Sequence, residues 1–515
     1  MSNISITDQA QARDKSWKLA TVFLYLLASA FLILLVSFNK NEVFYSGDAG
    51  LKFMSLRQIT LGEDFRYITH TQPAWVDTLW NHGYFPIRDN FVAHHKEGHY
   101  YIFAPSFQLL SAPMYGRFSY MGLYLIPLFS VLLLWAWFIY TARKLNFTNR
   151  QTAIMFFILA FCSPITMYGA IYWEHTLATL MCFAGIYYFL TAPRNRGLAL
   201  LLGLISGLAF WLRPESLWLN GFLLFVLLVL QFRKQIAAPN IFFGIGLLLG
   251  WCSFLVFNKA EFGQFFGVHG SQALDKHNYF LDFKRIKVNV HYIGMLMVTH
   301  FTVCVLLLPA IILWLRSRWT LSPRLSALFI ALCLFAGSAP LLFPNEGGKQ
   351  WGPRFYLPIM PLILLLLAGI FKEWKNRDWS KLKMPLAIVF VLAIAYSFYL
   401  NVYVGPKYFR QDCADRVLPA LEYVKADSTS YAVVDNPDIP MELGSIFREK
   451  NFFYTPDSTR LSNIVGELKS HGIDHFTFIH GDGDEVNPNL TPFLAEHNII
   501  LEQKGSYKVA RFPIK

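Results

Sequence analysis

The sequence predicts a polytopic α-helical membrane protein, with about eleven transmembrane helices and a small extracytoplasmic α/β domain at the C-terminal end. Three observations predict it. Of the 515 residues, 55% are hydrophobic and 17% aromatic while 15% are charged, which is too apolar and too charge-poor for a soluble protein of this length. The apolar residues gather into eleven runs. After the last run, from about Gly405, the composition turns polar and mixed.

The runs cover roughly residues 19–38, 119–140, 151–170, 175–192, 198–212, 217–232, 240–257, 293–315, 324–343, 357–371 and 384–402. About 20 apolar residues span a bilayer, and the shorter runs suit tilted partners in a bundle. The first run, Leu19 to Phe38, follows Arg13, Lys15 and Lys18. It is long enough to span and no small-residue cleavage site follows, so it reads as a retained first helix with the N-terminus in the cytoplasm. From that start the cytoplasmic connections carry Arg143, Lys144 and Arg150; Arg194 and Arg196; Arg233 and Lys234; Arg316, Arg318 and Arg324; and Lys372, Lys375, Arg377, Lys381 and Lys383. Every one is basic, as the positive-inside rule requires. The net charge of +12 therefore reports topology and not nucleic-acid binding. The six cysteines include no pair at metal spacing and give no disulfide framework.

Polar matter collects on the opposite side. The membrane part, residues 1–404, contains a large first outer loop, 39–120. In it, Leu51 to Ile59 has the loosely helical apolar spacing of a helix lying in the interface. Trp75, Trp80, Tyr84, Phe85, Tyr100, Tyr101 and Phe103 supply aromatic character suited to headgroup level. A second outer loop, Asn258 to Tyr292, holds His269, His277 and His291, and a third reads FPNEGGKQWGPRFY from Phe343 to Tyr356. Residues 405–515 alternate in pattern: helix over Asp415–Lys425, strand over Ser430–Val434, helix over Ile439–Glu449, strand over Phe452–Tyr454, helix over Leu461–His471, strand over His475–Ile479, a short helix over Phe493–Asn498 and a closing hairpin over Ile499–Phe512. That alternation predicts a small α/β domain without a nucleotide fingerprint. The turn Gly481-Asp482-Gly483-Asp484 lacks calcium-loop spacing and reads as a plain acidic turn.

Charge next to hydrocarbon is costly and is usually kept for a use. Four stretches at the outer ends of spans are therefore candidates. Asp48, between Gly47 and Gly50, is a carboxylate at the bilayer surface, able to meet a substrate whose tail lies in lipid and whose head lies in water. Its other reading is an N-cap for a helix starting near Leu51. Glu174 and His175, in the turn between the third and fourth runs, are an acid–base pair or a sugar-orienting pair. Alternatively they are a solvated turn with Glu174 near a helix N-terminus. Arg213 and Glu215, around Pro214, are either ligands or a salt-bridged structural turn. Lys349 and Arg354, in Gly347-Gly348-Lys349-Gln350-Trp351-Gly352-Pro353-Arg354, form a clamp for a lipid-linked phosphate or snorkel to headgroups. The glycines let backbone N–H groups approach an anion. The cluster His94-His95-Lys96-Glu97-Gly98-His99 has ligand types without ligand spacing, and no metal site is assigned.

In order and sidedness these motifs resemble the GT-C fold glycosyltransferases, many-spanned enzymes that use polyprenyl-phosphate-linked sugars, and among them the bacterial mannosyl- and aminoarabinosyl-transferases. Gly47-Asp48 matches the Asp that follows the first span. Gly98-His99-Tyr100-Tyr101-Ile102-Phe103-Ala104-Pro105-Ser106, then Leu109-Leu110 and Pro113-Met114-Tyr115, is similar to a Tyr-Ser-x-x-Pro-Pro-Gly stretch. Trp351 to Phe355 with Pro358 and Pro361 is similar to a late Trp-Gly-Pro-Arg motif, and Arg213-Pro214-Glu215 has its like in bacterial members. The resemblance covers residues 17 to 402. Two positions depart: Ala49 stands where many members carry an acid, and Pro105 stands for a double proline. The first leaves a divalent metal open, with none indicated.

The resemblance implies an integral membrane glycosyltransferase of the bacterial inner membrane, its C-terminal domain periplasmic. It implies sugar transfer from a polyprenyl-phosphate donor to a glycan, lipid or protein acceptor with inversion. Asp48 is then the general base, Arg354 with Lys349 and Arg213 binds phosphate, and Glu174, His175 and Glu215 line the sugar or acceptor pocket. Two other classes compete: a transporter or flippase of lipid-linked sugars, and a glycan polymerase or ligase. The first expects polar groups at mid-span, where this sequence has almost none. The second usually carries its large loop late, whereas here the longest outer loop comes first.

Overall fold

The computed structural model describes residues 6–68, 73–95, 98–234, 240–268, 270–271, 282–316, 323–342, 347–374, 380–481 and 488–514. The acidic turn at 482–484, His269 and His277 lie outside them. All eleven apolar runs contain helix, but among the described residues fewer than eleven helices are long enough for a full span. Among the described residues seven helices are long and apolar enough to cross a membrane. There are eight if Phe283–His300 and Thr302–Ile312, bent by 101°, count as one. The shortfall has local causes. Run 151–170 breaks after the helix Asn149–Phe161 at Cys162-Ser163-Pro164, because the residue before a proline is steered away from helix. His175–Thr191 and Arg196–Trp211 are apolar but short.

The chain divides into two compact units. One joins Met1–Val36 to Ile126–Pro406, and the other joins Ser37–Leu125 to Lys407–Lys515. In the first, helix ends are fixed by side chains. Thr148 accepts from Gln151 N while Gln151 reaches back to Thr148 N, a capping box that starts Asn149–Phe161. Helices Arg196–Leu208 and Asn240–Phe262 touch through reciprocal glycines. A Cβ at Gly203 would meet Phe243 O at 2.1 Å, and one at Gly246 would meet Leu200 O at 2.1 Å. Gly207 and Gly250 repeat the contact one turn on. This is small-residue packing, which replaces the hydrophobic drive that lipid removes. Helix Met360–Trp374 is buried on nearly every side and runs through the middle of this unit.

The second unit holds two sheets. Strands β1 (Val92–His95) and β2 (Gly98–Tyr101) make an antiparallel hairpin. Strands β3 (Tyr431–Val434), β4 (Asn451–Tyr454), β5 (His475–His480), β6 (Glu502–Lys504) and β7 (Tyr507–Pro513) form one sheet in the order β4-β3-β5-β7-β6. β3 pairs in parallel with β4 and with β5, while β5–β7 and β7–β6 are antiparallel. The alternating pattern is thus realised as an α/β layer. The expected helix over Ile439–Glu449 shortens to Ile439–Glu442 and ends in turns. Its core runs through the first outer loop as well: Val43, Leu51, Val76, Trp80 and Tyr101 join Phe452, Phe476, Phe478 and Phe512 in one buried cluster. Full burial of each such side chain contributes about 1.5–3 kcal/mol. The Trp80 indole N–H donates to Phe452 O at 2.9 Å, which ties the loop to β4.

Helix Gly47–Thr60 departs from expectation. It was expected to lie in the interface, but Ala49 through Leu56 are buried, Lys52 among them. One face packs on the helix Ser106–Phe118 and another on Ile439–Glu442. Protein covers it on both flanks, so no polar face is left for headgroups.

Candidate active site

In the first unit, four of the expected residues meet. Glu174 ends the turn Tyr172-Trp173-Glu174 and sits at the N-cap of helix His175–Thr191 without a side-chain capping bond. Its carboxylate turns instead to Arg213, which stands before helix Glu215–Phe232. Arg213 Nη1 donates to Glu174 Oε1 at 3.2 Å, and Arg213 Nε donates to Glu215 Oε1 at 2.8 Å. Both carboxylates are about 4% exposed and the guanidinium 12%, so the ion pairs are not screened by water. Burial opposes the charge of Arg213, but Glu215 and Glu174 outweigh it and hold the guanidinium more firmly protonated than usual. His175 is equally buried, with Nδ1 4.0 Å from Glu174 Oε1.

Arg354 joins this group through rings. Its guanidinium lies 5.3 Å from the centroid of Trp173 and 5.3 Å from that of Phe355, while Arg213 lies 5.5 Å from Phe355. Two cations thus share one aromatic ring, an arrangement worth about 2 kcal/mol or more per contact when desolvated. Tyr168, Trp173 and His175 complete an aromatic wall, with centroids 5.1–5.6 Å apart. Two carboxylates and two guanidinium groups leave this cluster formally neutral. An added phosphate would find planar, weakly hydrated donors in a low-dielectric wall.

The loop that carries Arg354 is anchored by residues the sequence reading missed. Asn401 Oδ1 accepts from Trp351 Nε1 at 3.1 Å, and Asn401 Nδ2 donates to His300 O and Ser397 O, each at 2.9 Å. Gly352 has φ +75, and a Cβ there would lie 3.0 Å from His300 and 3.1 Å from Pro164. Arg354 N donates to Gln350 Oε1 at 3.2 Å. A lone Asn inside the apolar run 384–402 was the available signal. Lys349 is half-buried in the same loop, five residues before Arg354.

Asp48 belongs to the second unit. The helix begins earlier than expected: Ser46 is its N-cap and Asp48 lies in its first turn. The N-cap reading of Asp48 is therefore corrected, although a carboxylate in the first turn still favours the helix dipole. Gly47 and Gly50 press against Met441. The Asp438 carboxyl is raised by burial, lowered by Arg88, and raised again by Glu442 and Asp48. One turn beyond Asp48, the buried Lys52 Nζ lies 4.5 Å from the Phe103 centroid, which links the Asp48 helix to the Gly98–Ser106 stretch. In the hairpin, His94 Nδ1 meets His99 Nδ1 at 2.8 Å and His94 Nε2 meets Asp89 at 3.0 Å. Among the described residues no group of three or more His, Cys, Asp or Glu is placed to hold a metal.

No family profile and no curated protein matches this chain. Solved structures do. The crystal structure of ArnT from Cupriavidus metallidurans bound to undecaprenyl phosphate is similar with a TM-score of 0.58 at 13% identity, over 95% of this chain and 97% of that one. The apo structure of ArnT from the same organism gives a TM-score of 0.54 at 13% identity over the same shares. The chain therefore has the GT-C fold along nearly its whole length.

Proposed function

We propose that this protein is an integral membrane glycosyltransferase of the bacterial inner membrane. It moves a sugar from a polyprenyl-phosphate donor to an extracytoplasmic glycan, lipid or protein acceptor. The N-terminus is cytoplasmic and the C-terminal domain periplasmic. One observation carries the reading: Arg354 and Arg213 stacked on Phe355 beside Trp173, two guanidinium groups held against aromatic rings in a mostly apolar helical unit. The likeness to a protein crystallised with undecaprenyl phosphate supports it.

Asp48 takes the proton of an acceptor hydroxyl as the oxygen attacks the anomeric carbon. The bond from that carbon to the phosphate oxygen breaks, its electron pair leaves with polyprenyl phosphate, and the configuration inverts. Arg354, with Lys349, neutralises the leaving phosphate where little water competes. Arg213 adds charge, but its donors to Glu174 and Glu215 make it first the pivot that aligns this wall. Glu174, His175 and Glu215 line the sugar pocket. No cofactor is needed for this step.

A second reading has its own support. The bend of 101° between Phe283–His300 and Thr302–Ile312 marks a broken span or a re-entrant loop, and broken spans are the device transporters build sites from. A flippase would move the donor without consuming it. Mass spectrometry of lipid-linked sugars in membranes with wild type or Asp48→Asn separates the two. Donor loss and free polyprenyl phosphate in wild type alone support transfer. Intact donor in both, with acceptor present, supports the flippase.

A further inference from the structure

The carboxyl ends of β4, β3 and β5 carry chemistry that the proposed reaction does not use. These are three adjacent parallel strands, and they end at Tyr454, just before Asp435, and at His480. The chain passes from β3 to β4 on one side and returns to β5 on the other. That is a topological switch point, where open α/β sheets leave a crevice for ligands.

Polar groups line these strand ends. Asp435 Oδ2 meets His480 Nδ1 at 2.5 Å, and Asp435 Oδ1 accepts from Gly481 N at 3.0 Å. A Cβ at Gly481 would lie 2.8 Å from Asn436, so the two strand exits are pressed together. His480 is 6% exposed, and its Nε2 is buried with no hydrogen-bond partner among the described residues. A buried ring nitrogen left unsatisfied costs about 1–3 kcal/mol and is expected to have a ligand. On the far side the Tyr454 phenol feels Arg460, Asp435, Arg88 and Asp457. Arg88 donates to Asp438 at 2.7 Å and closes the rim. At about 4.8 Å per strand, the row from Tyr454 to His480 spans about 10 Å, enough for one or two sugar rings.

We infer that this crevice binds the saccharide part of the acceptor, through Asp435, His480 and Tyr454. The inference rests on the glycosyltransferase reading for the word acceptor. Mixed donors and acceptors with little net charge suit hydroxyl groups better than a phosphate or a bare cation. The placement also fits, because the chain leaving β3 forms the helix Ile439–Glu442, which packs on the first turn of the Asp48 helix. A sugar held at the sheet edge is thereby coupled to the segment that carries the base.

The test is saturation-transfer NMR on the full chain in lipid nanodiscs, with methyl α-D-mannopyranoside, N-acetylglucosamine and maltotriose as probes. Wild type is expected to saturate at least one. His480→Asn keeps a partner for Asp435 but removes the position of Nε2, and Tyr454→Phe removes one hydroxyl from a ring that stays in place. Each is expected to weaken binding at least fivefold, and His480→Gln to stay within twofold of wild type. Absence of saturation in wild type, or equal binding by wild type, His480→Asn and Tyr454→Phe, overturns the inference. The assay contains no donor, so its failure is distinct from a failure of donor turnover.

Discussion

A methyl group at Gly50 would lie 1.7 Å from the carbonyl oxygen of Met441. The contact is reciprocal, since a Cβ at Gly444 would lie 2.7 Å from Gly50 O. Backbone therefore rests on backbone where the Asp48 helix crosses Ile439–Glu442, and a glycine in this helix, otherwise a loss of helix propensity, is required by contact. Gly50→Ala must push the two segments apart. The expected cost is about 1–3 kcal/mol or more, read as a lowered melting temperature of the purified chain. Gly116→Ala is the control. It lies in the helix Ser106–Phe118 with nothing within 4 Å of a new Cβ, so stability should hold or rise by up to about 1 kcal/mol.

The pair of carboxylates on Arg213 makes a second expectation. Arg213→Met leaves Glu174 and Glu215 buried with no guanidinium between them, and stranding a buried charge costs about 3–5 kcal/mol. The triple change Arg213→Met, Glu174→Gln, Glu215→Gln should recover much of that loss in denaturation, because no stranded charge is left. It should not recover transfer if the cluster aligns the donor. Equal stability of wild type and Arg213→Met would remove the electrostatic role assigned to this network.

How much of this was legible beforehand differs by element. The strands β3, β4, β5 and the closing hairpin were readable because short runs rich in apolar, β-branched and aromatic residues lay between turn residues. Glu174, Arg213, Glu215 and Arg354 were readable because charge next to apolar runs is rare. Their pairing was not, since nothing local in the chain says that residue 174 meets residue 213. The Asp48 helix was placed in the interface because its own spacing looked amphipathic. Its burial comes from Ile439–Glu442, almost four hundred residues later, and no local pattern reports such a partner. The count of about eleven spans is not confirmed among the described residues, for a related reason. Apolar run length limits a helix but does not show where Pro164 breaks it.

The Asp427 carboxylate predicts acid sensitivity of the α/β layer. Burial raises it, but the Thr477 hydroxyl at 2.8 Å, the Thr429 N–H at 3.3 Å and His475 Nε2 at 3.1 Å outweigh burial, so it lies below the usual range. A carboxylate depressed in the folded state contributes stability that is complete above its unfolded value, about 3.9. It is lost as pH falls through the folded one. Asp427→Asn should therefore cost about 1.5–3 kcal/mol at pH 7. The gap between wild type and variant should stay level down to about pH 4 and narrow below it. Denaturation of both proteins from pH 7 to pH 2.5 checks this, and a gap that widens on acidification would contradict it.

Asn401 gives the sharpest prediction about the proposed donor seat. Its amide is saturated: it accepts from the Trp351 indole and donates to the carbonyls of His300 and Ser397. It sits in a π-helical turn, Tyr399–Val404, a geometry that often marks functional positions. A Cβ at Gly405 would lie 2.8 Å from the Trp351 ring, so the indole is clamped from this side too. Three residues after Trp351 the chain reaches Arg354, which touches no atom of Asn401 in this network but inherits its position. Asn401→Leu keeps the γ-branched shape, is somewhat larger, and strands the indole N–H, at a cost of about 1–3 kcal/mol. If that misplaces Arg354, donor KM should rise about tenfold, equivalent to 1.4 kcal/mol, with kcat nearly kept. Asn401→Asp retains the acceptor for Trp351 and loses the donors to His300 and Ser397, so its KM should fall between the two. A stable Asn401→Leu with unchanged KM would mean that the 347–354 loop holds Arg354 without this anchor.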